Sequence, residues 1–167
     1  LESALKDQRN LMAQHINKPV ETIPQAFTPY KEVLDIYSNG LELPEDVTII
    51  WADDNFGYMK RLSGPQEQKR AGRAGVYYHL SYLGVPHSYL WFSTTPPALM
   101  YEELRKAYDT TADCIWLANC GDLKGSEVQV SFFLDMAYDI EQFNEKNVHT
   151  YPARWLAKMF GEQYYNT

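Results

Sequence analysis

The chain holds a small set of side chains able to move protons or bind sugars. They fall at the ends of short apolar runs. Val47-Thr48-Ile49-Ile50-Trp51 stops abruptly at Ala52-Asp53-Asp54-Asn55. A second run carries Tyr77, His79, Ser81 and Tyr82, and a third ends in Asn119 and Asp122. Carboxylates, phenols, an imidazole and amides suit acid/base hydrolysis, in particular cleavage of a glycosidic bond between two carboxyl groups. Adjacent residues of an extended segment point to opposite faces, so only one of Asp53 and Asp54 is expected to face a pocket. Such a pair is as readily a loop cap beside a solvated neighbour. Glu32 near a helix start is ordinarily a partner of the helix dipole, and a histidine in a Tyr-rich strand is often a satisfied core residue. There is no Gly-x-Ser-x-Gly nucleophile elbow, P-loop or Gly-x-Gly-x-x-Gly fingerprint.

The elements that position these residues are legible as apolar patterns. A helix is expected over 2–16, and a second from Thr28 as N-cap and Pro29 as first helical residue to a stop at Gly40. Strands are expected at 47–51, 76–83 and 114–118. Within the second, Tyr77, His79 and Ser81 share one face, with Val76, Tyr78, Leu80 and Tyr82 on the other. Further helices are expected from Ser93-Thr94-Thr95-Pro96-Pro97 to about Tyr108, over 126–143 and over 151–165. Strands separated by helices imply right-handed parallel crossovers. About three buried parallel strands make either a very small α/β layer or a slice of a larger β/α-barrel, and the slice is the expectation. Both architectures place functional groups at the C-terminal strand ends.

Composition excludes several classes. With 45% hydrophobic and 22% charged residues, the 167-residue chain is globular. A net charge of -7 argues against a nucleic-acid partner. No apolar run is long enough to span a membrane, and no signal peptide is visible at the start. The 13 Tyr and 4 Trp suit either a large amphipathic core or a sugar-facing cleft. Cys114 and Cys120, about 20 Å apart if extended, are too far apart for a disulfide and are expected to be small buried fillers.

An ordered set of short motifs resembles glycoside hydrolase family 115, the xylan α-glucuronidases. It comprises Tyr30-Lys31-Glu32-Val33, Pro44-Glu45-Asp46-Val47-Thr48, Trp51-Ala52-Asp53-Asp54-Asn55-Phe56-Gly57, Gly75-Val76-Tyr77-Tyr78-His79, Tyr82-Leu83-Gly84 and Ser93-Thr94-Thr95-Pro96-Pro97-Ala98-Leu99, and it ends around Asn119 to Lys124. The resemblance covers about residues 28–140. It implies a (β/α)8 barrel within a larger, often dimeric chain that removes glucuronic or 4-O-methylglucuronic acid from xylan with inversion. Residues 1–27 then lead in, 28–145 form the family-like core, and 146–167 hold a C-terminal helix. By resemblance Glu32 is the catalytic carboxylate, and Tyr30, Tyr77 and Tyr82 line the uronic-acid pocket. Asp53, Asp54, Asn55 and His79 are further pocket candidates. No cofactor or metal is expected. Further barrel strands and a second essential acid are expected to precede this chain, which alone is then expected to be inactive. The expected partner is xylan or a xylo-oligosaccharide, with neither nucleic acid nor membrane insertion, in a secreted or periplasmic parent enzyme. Two alternatives are a non-catalytic α/β carbohydrate-binding or interaction module, and a metal-dependent hydrolase using the Asp pair.

Overall fold

A computed structural model describes residues 1–165 of the chain. Four strands, β1 (Ala26–Phe27), β2 (Thr48–Ala52), β3 (Ala74–His79) and β4 (Ala112–Asn119), form one sheet in the order β1-β2-β3-β4. Every pairing is parallel. The helices are α1 (Glu2–His15), α2 (Glu32–Ser38), α3 (Pro97–Asp109), α4 (Glu127–Tyr138) and α5 (Tyr151–Phe160). This is an α/β fold of parallel strands with flanking helices.

A parallel sheet covered on both faces reads as an unbroken apolar run. Accordingly Ile49, Ile50 and Trp51 of β2 are all buried. The two faces of β3 differ in kind. Ala74, Val76 and Tyr78 join the main core with Met100 and Leu104 of α3 and Phe132 and Phe133 of α4. Gly75, Tyr77 and His79 alternate to the opposite face. Helix α1 has no fully buried residue. Arg9 ties it to the start of β2 through a 2.8 Å ion pair with Asp46, and that hydrogen bond holds the Asp46 carboxyl below its ordinary pKa.

Several expectations are corrected. The sheet has four described strands, not about three. The additional β1 is two residues long and lies between Pro24 and Pro29, too short to leave a periodic pattern. It pairs Ala26 with Thr48 and Phe27 with Ile49. Because Phe27 is committed to that ladder, α2 starts at Glu32 and not at Pro29, and Lys31, not Thr28, is its N-cap. Helix α4 stops at Tyr138, where Asp139 turns extended, and a separate 3-10 turn covers Ile140–Gln142. Gly161, at φ 120, ends α5 at Phe160. Cys114 is exposed and Cys120 half-buried, both free, so neither is a buried filler.

Strand β3 begins two residues earlier than its apolar run suggests, because Gly75 belongs to it. The β3/β4 register shifts between Ala74 and Val76, and the β4 backbone closes onto Gly75. A Cβ there would sit 2.3 Å from the Ile115 carbonyl oxygen and 2.8 Å from the Ile50 side chain. Glycine inside a strand commonly marks such an approach. Gly75→Ala is therefore expected to destabilise the protein by about 3 kcal/mol, as overpacking does when backbone must yield. Urea unfolding measures this, and an unchanged midpoint would contradict it.

Candidate active site

The chain turns sharply at the C-terminal end of β2. Asp53 still donates its N–H to the Tyr77 carbonyl at 3.2 Å, extending the ladder by one step. Its side chain then points inward and is buried. One carboxylate oxygen accepts the Gly57 N–H at 2.9 Å. The other is hydrogen-bonded to Nδ1 of His79, which is equally buried. An ionised carboxylate only accepts, so Nδ1 carries the hydrogen and the second ring nitrogen is left for another partner. This is how a carboxylate orients an imidazole for proton transfer.

Asp54 points the other way, as alternation requires. Its Oδ1 accepts the N–H groups of Phe56 and Tyr58 at 3.0 and 3.2 Å, and its Oδ2 lies 3.5 Å from Lys60 Nζ. Its contacts organise the turn. The turn includes two left-handed residues, Asn55 at φ 73 and Gly57 at φ 93. A Cβ on Gly57 would lie 2.9 Å from the Tyr78 hydroxyl, which donates to the Gly57 carbonyl at 2.8 Å. Asn55 links two tyrosines: its Oδ1 accepts the Tyr30 hydroxyl at 2.5 Å, and its carbonyl accepts the Tyr89 hydroxyl.

Three phenols surround His79, with ring centroids at 4.8 Å (Tyr77), 5.5 Å (Tyr82) and 5.9 Å (Tyr30). Tyr77 comes from the face of β3 opposite the main core, and Asn119 at the end of β4 donates to its hydroxyl at 2.7 Å. Tyr82 reaches the cluster because the ladder closes just before it, where the Leu80 and Ser81 N–H groups both donate to the Asn119 carbonyl, and strict alternation ends there. Beyond that point Tyr82 and Tyr89 pair as an isolated antiparallel bridge. Burial raises the phenol pKa values of Tyr30 and Tyr89, keeping both as neutral hydrogen-bond donors.

Tyr30, Asp53, Asn55, Tyr77, His79 and Tyr82 thus converge at the C-terminal edge of the sheet. Glu32 stands apart from their hydrogen bonds. It is exposed, at the first position of α2. Its place is set by its neighbours Tyr30 and Lys31, both on the cluster. Lys31 has φ 52 and ψ −125, a conformation that costs a residue with a side chain on the order of 1–3 kcal/mol. Its Nζ lies 5.2 Å from the Tyr30 ring centroid and 5.8 Å from that of Tyr82.

Sequence reasoning does not single out Lys31 or Phe56, and it reads Tyr89 only as a core tyrosine whose hydroxyl reaches some partner, which proves to be the Asn55 carbonyl. Asn119 shows only as a polar strand end. For Tyr89 the visible signals are Gly84 and Pro86, which mark a turn able to bring 89 back to 82. Phe56 packs on Tyr82, Tyr89 and His87 at 5.8, 5.7 and 5.1 Å. An open cavity of about 650 Å³ lies against Phe56 and Tyr89, with Trp91, Phe92 and Thr95 among its walls. Trp91 and Phe92 are largely exposed. Among the described residues, no three His, Cys, Asp or Glu side chains come together as a metal would need. No described helix is long and apolar enough to cross a membrane.

The family model described as glycosyl hydrolase family 115 matches residues 1–167. No curated protein matches the chain. A solved structure described as a novel family GH115 4-O-methyl-alpha-glucuronidase, with specificity for decorated arabinogalactans, superposes with a TM-score of 0.93 at 44% sequence identity. The superposition covers 98% of this chain and 22% of that one, so the chain spans about a fifth of its neighbour's length.

Proposed function

Because this chain belongs to glycoside hydrolase family 115, we propose that it is part of a (β/α)8-barrel α-glucuronidase. The enzyme removes glucuronic or 4-O-methylglucuronic acid side groups from a polysaccharide, with inversion. The observation that carries this reading is the convergence of phenols, an amide and a buried Asp53–His79 pair at the C-terminal edge of a parallel sheet. Barrel enzymes build their sites at that edge. Phenol and amide groups suit a hydroxyl-rich ring, and aromatic faces suit its apolar C–H surfaces.

Glu32 is the proton-exchanging carboxylate of this chain. It is exposed at the start of α2, two residues from Tyr30, and among the described residues no cation is ion-paired with it. Asp53 is unsuited to that role, because both its oxygens are engaged by His79 and the Gly57 N–H. Its part is to hold the imidazole. Inversion requires a second carboxyl about 6.5–9.5 Å from the first, with a water between. In this reading another barrel strand supplies it. Four parallel strands cannot close an eight-stranded barrel, so activity belongs to the full-length protein. Glucuronoxylan is the substrate expected from the motifs. The neighbour's arabinogalactans suggest that the site reads the uronic acid more closely than the main chain. Such polymers would place the enzyme outside the cytoplasm, secreted or periplasmic.

The test is chromatography of the soluble products after the full-length protein has acted on glucuronoxylan and on decorated arabinogalactan. Free uronic acid is expected, with the main chain uncut. Tight binding to either polymer without release would favour a non-catalytic carbohydrate-binding module instead. The aromatic wall beyond Phe56 should then hold main-chain sugars. Trp91→Ala is expected to raise KM for the polymer about tenfold, the effect of losing roughly 1.4 kcal/mol of stacking. KM for a short uronic-acid-bearing oligosaccharide should change little. Equal loss on both substrates would contradict that placement.

A further inference from the structure

We propose that Lys31 is the residue that distinguishes a uronic acid from a neutral sugar, its ammonium serving as counter-ion to the substrate carboxylate. The proposal rests on the α-glucuronidase reading above and deepens it. A uronic acid brings a negative charge to a chain whose own net charge is -7, and to a site where Glu32 and Asp53 are carboxylates. Charge complementarity therefore asks for a cation placed where the ring binds. Lys31 is the cation whose Nζ lies on two rings of the cluster, 5.2 Å from Tyr30 and 5.8 Å from Tyr82.

Among the described residues no carboxylate is within ion-pairing distance of it. The two cations that follow the Asp53–Tyr58 turn are engaged: Lys60 with Asp54, and Arg61 with Glu67. Electron-rich ring faces hold an ammonium without neutralising it. The rings thus fix the Lys31 charge at the cluster while leaving it free to meet an anion. The backbone makes the same point independently. A bulky residue at φ 52 and ψ −125 occupies glycine's conformational territory. Strain of this kind gathers where a side chain is held for a purpose other than stability.

The test is calorimetric binding of glucuronate, its methyl ester and glucose to the full-length protein and to the Lys31→Met and Lys31→Arg variants. Met keeps an unbranched apolar stem on the rings and removes only the charge. Lys31→Met is expected to weaken glucuronate binding by about 30-fold, as loss of a close charge pair does. The affinities for the ester and for glucose should stay within about threefold, because an uncharged ligand gains little from the ammonium. Lys31→Arg should restore most of the loss. Equal weakening of all three ligands by Lys31→Met would make Lys31 a purely structural residue and overturn the proposal. So would unchanged glucuronate binding, which would leave the enzymatic reading intact. A wild-type protein that binds glucuronate no better than glucose would overturn that reading, and the proposal with it.

Discussion

Glu32→Gln is expected to lower kcat of the full-length protein by several orders of magnitude and to leave substrate affinity nearly unchanged. Glutamine keeps the shape and part of the hydrogen-bonding capacity of glutamate but cannot exchange a proton. Positioned acid or base catalysis is worth about 10²–10⁴-fold by itself. A group acting only in the transition state lowers kcat and kcat/KM together. Glu32 lies at the first position of α2, two residues from Tyr30, which is fixed by Asn55. If Glu32 served only the helix dipole, the same change would cost at most about 1 kcal/mol of stability and spare kcat. Steady-state kinetics with a melting curve on the same sample separates the two. A folded variant retaining more than about a tenth of wild-type kcat, against the range for a lost proton-transfer group, would exclude Glu32 from the chemistry.

Asp53→Asn tests the buried support of the site. The Asp53 carboxylate bridges the Gly57 N–H and His79 Nδ1. If the asparagine oxygen keeps the Gly57 bond, its NH₂ faces Nδ1. The ring must then offer Nδ1 as acceptor and move its hydrogen to the far nitrogen. That reverses the tautomer presented to the tyrosine cluster. The expected result is a fall in kcat of about 10²-fold or more, since a misassigned tautomer removes the imidazole's proper role. A stability loss of about 1–3 kcal/mol should accompany it, from the weakened buried bonds. Kinetics at a temperature where the variant is fully folded measures the first effect, and thermal unfolding the second. A folded variant active to within threefold of wild type would show that the Asp53–His79 pair is only structural.

Much of this arrangement is legible in the sequence, and the exceptions have physical causes. Thr48–Ala52 declares itself because a parallel strand buried on both faces needs an unbroken β-branched run. The divergence of Asp53 and Asp54 follows from the two-residue period, and the structure turns one inward and the other to the loop. The common face of Tyr77 and His79 follows from the same period. Tyr82 escapes it, because periodicity ends where the Leu80 and Ser81 N–H groups share the Asn119 carbonyl. The two-residue β1 leaves no period at all, which misplaces the start of α2. Lys31 is hidden for a different reason. Its importance lies in a positive φ and two ring faces from distant segments, and neither is written in its neighbours' identities.

The proposed activity is release of uronic acid side groups with inversion. Proton NMR of the sugar freshly released from glucuronoxylan by the full-length protein tests it most directly. The first anomer expected to appear is β-glucuronic or β-4-O-methylglucuronic acid, with the α anomer growing in later by mutarotation. Appearance of the α anomer first would contradict the inverting mechanism, and absence of any free uronic acid from a folded preparation would contradict the function itself.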